Sequence, residues 1–183
     1  MNKFIMALTT CSAILLPISS QANFGSSNTI YFAGEVVSET CQVSINDNTE
    51  NPIVLLPSVT AADLASAGAT AGETTFTLSL SGCSGSAKAT ATRFVGNNVD
   101  ADGNLVAPDA GAVGYAKNVA LQLLDAPGGN PVNLSTPATV DGVILADGDK
   151  EGRVEYAVQY VSVAGNATAG IVTGSVQYSV TYF

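Results

Sequence analysis

The 183-residue chain is 46% hydrophobic and only 11% charged, a composition that can bury a core and is too apolar for a disordered segment. Six basic against fifteen acidic residues give a net charge of −9, which excludes a Lys/Arg phosphate-binding surface and with it nucleic acid as a partner. The chain has no histidine, so Ser-His triads, Cys-His nucleophiles and imidazole metal sites are excluded together.

In chain order, the first element is a secretory signal. Lys3 precedes an apolar run, Phe4 to Ile18, and Ser20-Gln21-Ala22 places small residues where a signal peptidase reads them. Thr9, Thr10, Ser12 and Pro17 interrupt the run, which is too short to span a bilayer. The expected signal peptide is residues 1–22. Its removal takes away Lys3 and leaves 5 basic against 15 acidic residues, a net charge of −10. Of three cysteines, Cys41 and Cys83 remain. An exported chain meets an oxidising compartment, so a Cys41–Cys83 disulfide is expected. In the chain-entropy model, closing a loop of about 40 residues contributes roughly 4 kcal/mol.

Alternation and β-branched runs predict strands at Thr29–Val37, Cys41–Ile45, Ile53–Leu56, Thr74–Leu80, Ala87–Val95, Val119–Leu124, Val154–Val163 and Ile171–Phe183. Turn residues separate them at Asn46-Asp47-Asn48, Ser81-Gly82, Asp102-Gly103, Pro127-Gly128-Gly129, Asp141-Gly142 and Asp147-Gly148. Ala61 to Ala65 reads as a single helical turn in a loop. Many short strands at turn-marked spacing define an all-β sandwich of one domain.

The two ends carry functional information. Near the amino end, Phe24, Ile30 and Phe32 share one face of an extended segment with Ser26 and Asn28 between them. No hairpin turn or partner strand precedes this stripe. At the carboxyl end, Val172, Gly174, Val176, Tyr178, Val180 and Tyr182 alternate with Thr173, Ser175, Gln177, Ser179 and Thr181 up to the last residues. A chain that ends in such a strand has an edge to be covered, and an extended segment from another chain covers it by β-strand addition.

These segments resemble the major pilins of type 1 and related chaperone–usher fimbriae. NTIYFAGEVVSETCQV is similar to the entry strand of that family. FTLSLSGCSG is similar to its second-cysteine strand, and PSVTAADLASAGATAGETTF to the loop between the cysteines. RFVGNNVDADGNLVAP is similar to the hairpin that follows the second cysteine. Tyr182 is the aromatic second from the end, and Gly170 is the glycine fourteenth from the end. The resemblance implies an immunoglobulin-like β-sandwich pilin fold lacking its final strand, completed by a donor strand from another subunit. It implies a periplasmic pilus chaperone that lends a strand, an outer-membrane usher, and export through the periplasm to a surface fimbria that supports cell adhesion. Mapped onto this chain, residues 23–34 are the donor-strand arm, with inward anchors Phe24, Ser26, Asn28, Ile30 and Phe32. The family commonly has glycine where Asn28 aligns, and this arm departs from that pattern. Residues 35–183 are the pilin domain. Gly170, Val172, Val176, Tyr178, Val180 and Tyr182 mark the carboxyl-terminal strand that the chaperone would bind. The expected partners are copies of the chain or other pilins, the chaperone and the usher, with no small-molecule substrate, cofactor, metal or catalytic residue. Two alternatives use the same residues: a minor adaptor or terminator pilin of the same organelle, and a self-sufficient secreted sandwich that acts as a monomeric binding module. Whether residues 23–34 fold back into their own domain separates the last from the others.

Two constellations compete with this reading. Asn98, Asp100, Asp102, Asn104 and Asp109, with Gly103 at the sixth position, resemble a calcium loop. Asn at the first position, Asp at the twelfth and Pro108 at the exit favour a solvated hairpin loop. The carboxylate pairs Asp147/Asp149 and Glu151/Glu155 suggest acid–base chemistry, but they fall in or beside a Gly-rich turn.

Overall fold

The computed structural model describes residues 40–84 and 89–183. The expected signal peptide, the arm of residues 23–34 with its anchors Phe24, Ser26, Asn28, Ile30 and Phe32, and the strand Thr29–Val37 lie outside the described residues. Seven strands occur among the described residues: β1 (Thr40–Ile45), β2 (Thr70–Ser84), β3 (Ala89–Gly96), β4 (Val119–Leu124), β5 (Ala138–Ile144), β6 (Gly152–Ser162) and β7 (Val176–Tyr182). They form two antiparallel sheets, ordered β1-β2-β6-β4 and β5-β3-β7. This is the all-β immunoglobulin-like sandwich expected from the sequence.

Period-2 alternation decides which side chains face inward. On β2, Phe76, Leu78 and Leu80 are buried while Thr77 and Ser79 between them are not. On β3, Thr90, Thr92 and Phe94 point into the same space from the other sheet. Tyr156 on β6 lies at the centre, fully buried. Its ring meets Phe94 edge-on at 5.2 Å and Phe76 at 5.8 Å. Its hydroxyl donates to the backbone carbonyl of Asp141 (2.8 Å) and shares a hydrogen bond with Thr92 Oγ1 (2.7 Å). One side chain thus joins β6 in the first sheet to β3 and β5 in the second, with its polar atom satisfied.

The Cys41–Cys83 disulfide is present, with 42 residues of sequence separation, and it ties the start of β1 to the end of β2.

Four expectations change. Asp141-Gly142, read as a turn, lies inside β5, which the sequence reading missed. A Cβ on Gly142 would meet the backbone carbonyl of Thr90 at 2.8 Å, and the β3–β5 register shifts between Ala89 and Ala91. The glycine serves close strand approach at an irregularity rather than chain reversal. Ser81-Gly82 is also within a strand. Gly82 has φ 61°, and the β1–β2 register shifts beside it, between Thr40 and Gln42, so it supplies a left-handed bulge residue. Ile53–Leu56 is extended but belongs to neither sheet. The final strand begins at Val176 rather than Ile171. The residues 61–64 form a turn, as expected.

Tyr156→Phe leaves Thr92 Oγ1 and the Asp141 carbonyl without this partner, and should cost about 1–3 kcal/mol in urea unfolding. Burial holds the Tyr156 phenol above its ordinary value of 10.0, with Asp141 adding to the rise and the Thr92 hydrogen bond opposing it. A folded value above the unfolded one means this contribution is intact below pH about 10 and falls as pH rises further. The alkaline loss of stability measured by pH-dependent unfolding should therefore be smaller in Tyr156→Phe.

Candidate functional site: an apolar groove beside the last strand

Among the described residues, the last strand has one partner. β7 pairs with β3 from Thr90↔Tyr182 to Gly96↔Val176 and ends its sheet. Its inward residues Val176, Tyr178, Val180 and Tyr182 are partly buried against the core, and burial raises the Tyr182 phenol above its ordinary value.

Across from this edge runs a second extended segment. Pro52 and Pro57 restrict its backbone to extended conformations. Pro52, Val54 and Leu56 turn inward, while Ile53 and Leu55 are 77% and 84% exposed. Among the described residues, no backbone hydrogen bond reaches residues 51–59. Among the described residues, two extended edges with unpaired backbone groups thus face one another across the sandwich.

Between them lies a groove of about 290 Å³. Val176, Tyr178 and Ser175 line one side, and Pro52, Ile53, Val54 and Leu56 the other. Ile45, Phe76, Phe94, Leu105, Leu121, Leu123 and Val158 form the floor. Gly174 keeps the floor open: a Cβ there would stand 3.0 Å from Leu105 Cβ and 3.2 Å from Leu121 Cδ1. A second depression, about 180 Å³, involves Gly170 and Val172 together with Ser58, Val59, Thr60, Ala116 and Tyr160.

Of the residues singled out at the carboxyl end, Val176 and Tyr178 line the main groove, and Gly170 and Val172 line the second depression. Val180 and Tyr182 continue the inward stripe. Gly170 lies outside β7 and packs on backbone: a Cβ there would collide with the amide nitrogen of Ala116 and the carbonyl carbon of Tyr115. Ile171 beside it forms a parallel bridge to Tyr115. The wall at 52–56 and the floor residues Leu105 and Leu121 were not anticipated as parts of a site. The short apolar run Ile53-Val54-Leu55-Leu56, read as a strand, was the available signal for the wall.

The competing constellations have local roles. Asp100 accepts from the backbone amides of Asp102 (3.0 Å) and Asn104 (2.8 Å) and from the Asn104 side chain. Its carboxylate closes its own loop with donors where a calcium site would present acceptors to a cation. No group of three or more His, Cys, Asp or Glu side chains among the described residues is placed to hold a metal. Asp149 caps a turn by accepting from the Ala146 amide at 3.0 Å.

The family model described as "Fimbrial protein" matches residues 30–183. The chain is 36% identical to the F17 fimbrial protein of Escherichia coli, over 92% of this chain and 94% of that protein. It is 35% identical to the major fimbrial subunit SMF-1 of Stenotrophomonas maltophilia, over 91% of this chain and 96% of that one. Among solved structures, the P pilus rod subunit PapA superposes with a TM-score of 0.56 at 17% identity, covering 78% of this chain and 99% of PapA, a likeness of fold. The chain belongs to the fimbrial protein family. It is a structural subunit of chaperone–usher fimbriae and not an enzyme.

The backbone contact at Gly170 generates a test. Gly170→Ala forces residues 115–116 to move and should lower stability by about 1–3 kcal/mol, as overpacking does. Chemical unfolding of wild type and variant under oxidising conditions measures it.

Proposed function

We propose that this protein is the major rod subunit of an adhesive fimbria and that it polymerises by donor-strand exchange. The groove between β7 and residues 51–59 takes an extended segment in place of a missing final strand. During export, a strand of a periplasmic chaperone occupies it. At an outer-membrane usher, the arm of the next subunit, residues 23–34, replaces that strand. The signal peptide of residues 1–22 directs the chain to this route, and the finished fibre is displayed at the cell surface.

The observation that carries this reading is the pair of facing extended edges, with an apolar floor between them. An added strand can hydrogen-bond to β7 while its alternate side chains enter the groove. The alternation of Phe24, Ser26, Asn28, Ile30 and Phe32 suits such a strand. Burying each large apolar anchor contributes roughly 1.5–3 kcal/mol, and each backbone hydrogen bond perhaps 0.5–1.5 kcal/mol. Many small terms in series give a non-covalent joint that dissociates very slowly.

Thermal unfolding tests the reading. Residues 34–183 alone are compared with the same body carrying a copy of residues 23–34 after Phe183 on a flexible linker. Burial of Phe24, Ile30 and Phe32 gives an expected gain of about 5 kcal/mol or more, a rise in Tm of at least about 10 °C. Equal midpoints, with the shorter chain stable and monomeric, would indicate a self-sufficient sandwich and sink the proposal. In cells carrying the chaperone and usher, deleting residues 23–33 should preserve chaperone capture and abolish incorporation into fibres.

A further inference from the structure

The ladder between β3 and β7 fixes which backbone groups β7 leaves unused. Opposite residues of an antiparallel pair alternate between those that exchange hydrogen bonds and those that do not. The Asn97 amide donates to the Ser175 carbonyl at 3.1 Å, and the Phe183 amide to the Ala89 carbonyl at 2.9 Å. Between these two rungs the register is unbroken, from Gly96↔Val176 to Thr90↔Tyr182. The odd-numbered residues of β7 therefore bond to β3. Val176, Tyr178, Val180 and Tyr182 aim their N–H and C=O groups at the other edge, which is free among the described residues. Gly174 is the next position in that series.

β3 ends at Gly96, so the start of β7 is where this ladder would fray. Asn97 stands at that point and brackets the strand with its side chain. Its Nδ2 donates to Ser175 Oγ at 2.8 Å, and its Oδ1 accepts from Gln177 Nε2 at 2.9 Å. All three side chains are exposed, so core packing does not require these bonds. The bracket spans Val176, which lines the groove, and adjoins Gly174, which lies over Leu105 and Leu121.

Asn97 is itself held from the other sheet. It opens a hairpin in which the Val106 amide donates to the Asn98 carbonyl at 3.0 Å and the Asp100 amide to the Asn104 carbonyl at 2.9 Å. Leu105 in this hairpin exchanges two backbone bonds with Leu121 of β4, both 2.8 Å. Beside it, Asn104 is buried, accepts from Gln122 of β4 at 3.2 Å and donates to Asp100 at 3.1 Å. Residues 97–106 thus tie the end of β7 in one sheet to β4 in the other, and they also supply Leu105 to the groove floor.

We propose that Asn97 is a positioning residue for strand uptake. Through Ser175 and Gln177 it holds the end of the free edge, at Gly174 and Val176, in ladder geometry above the floor. The proposal rests on the strand-donation reading, with the extended arm of a second copy as the ligand. An edge arranged in advance lowers the ordering cost of binding.

The test uses fibres of the full-length chain grown in cells that carry its chaperone and usher. Hydrogen–deuterium exchange at β7 and Gly174 is read residue by residue by NMR. In wild-type fibres the amides of Gly174, Val176, Tyr178, Val180 and Tyr182 should be protected, because a donated strand pairs with them. In Asn97→Ala, exchange at Gly174 and Val176 should rise about three- to tenfold, with Val180 and Tyr182 unchanged. Asn97→Asp should restore protection, since a carboxylate accepts from both the Ser175 hydroxyl and the Gln177 amide. If Asn97→Ala gives no fibres, Gln177→Ala removes one of the two bonds and should raise exchange at Val176. Unchanged exchange, or a rise spread evenly along β7, would overturn the positioning role and leave strand donation standing. Free exchange of all these amides in wild-type fibres would overturn strand donation, and this inference with it.

Discussion

Backbone groups need hydrogen-bond partners, and a strand that has used only one of its edges still has a row of them to satisfy. Among the described residues, β7 is in this position: β3 occupies one edge, and the other faces a groove. The side chains on its inward face press the same strand against the core. The apolar face therefore calls for cover while the backbone edge calls for ladder bonds. An extended segment meets both needs at once, because it offers hydrogen-bonding groups along its edge and side chains on alternate sides. A compact ligand could fill the floor but would leave the edge unpaired.

The rest of the fold keeps that groove in shape. Tyr156 spans the two sheets, with its hydroxyl engaged by β3 and β5 and its ring packed on Phe76 and Phe94. Phe76 and Phe94 are also part of the groove floor, so the cross-sheet contact and the binding surface share side chains. The Cys41–Cys83 bond secures β1 to β2 at the end from which the amino-terminal chain departs. Two glycines act at the opposite stretch for different reasons. Gly174 leaves room above Leu105 and Leu121, and Gly170 lets the chain lie directly on the backbone of Tyr115 and Ala116.

On the proposed reading, a donated strand would supply many hydrogen bonds and buried side chains in series, which suits resistance to dissociation.

Local period was legible in the amino acids. The alternation from Val172 to Tyr182 marked the inward stripe of the last strand, the cysteine count marked the disulfide, and Val119–Leu124 was read to the residue. Each of these signals lies within one segment or in a count, so no knowledge of neighbours is needed. Only the tertiary structure decided which edges remain unpaired. Ile53–Leu56 reads as a strand because it is a short apolar run with β-branched residues, yet it joins neither sheet. Asp141-Gly142 reads as a turn because turns favour that pair, yet Thr90 lies against Gly142 and makes it part of β5. The floor at Leu105 and Leu121 and the backbone contact beneath Gly170 likewise come from segments distant in sequence. Pairing is a relation between two strands, and its absence along β7 and residues 51–59 emerges only when all the described strands have taken their places.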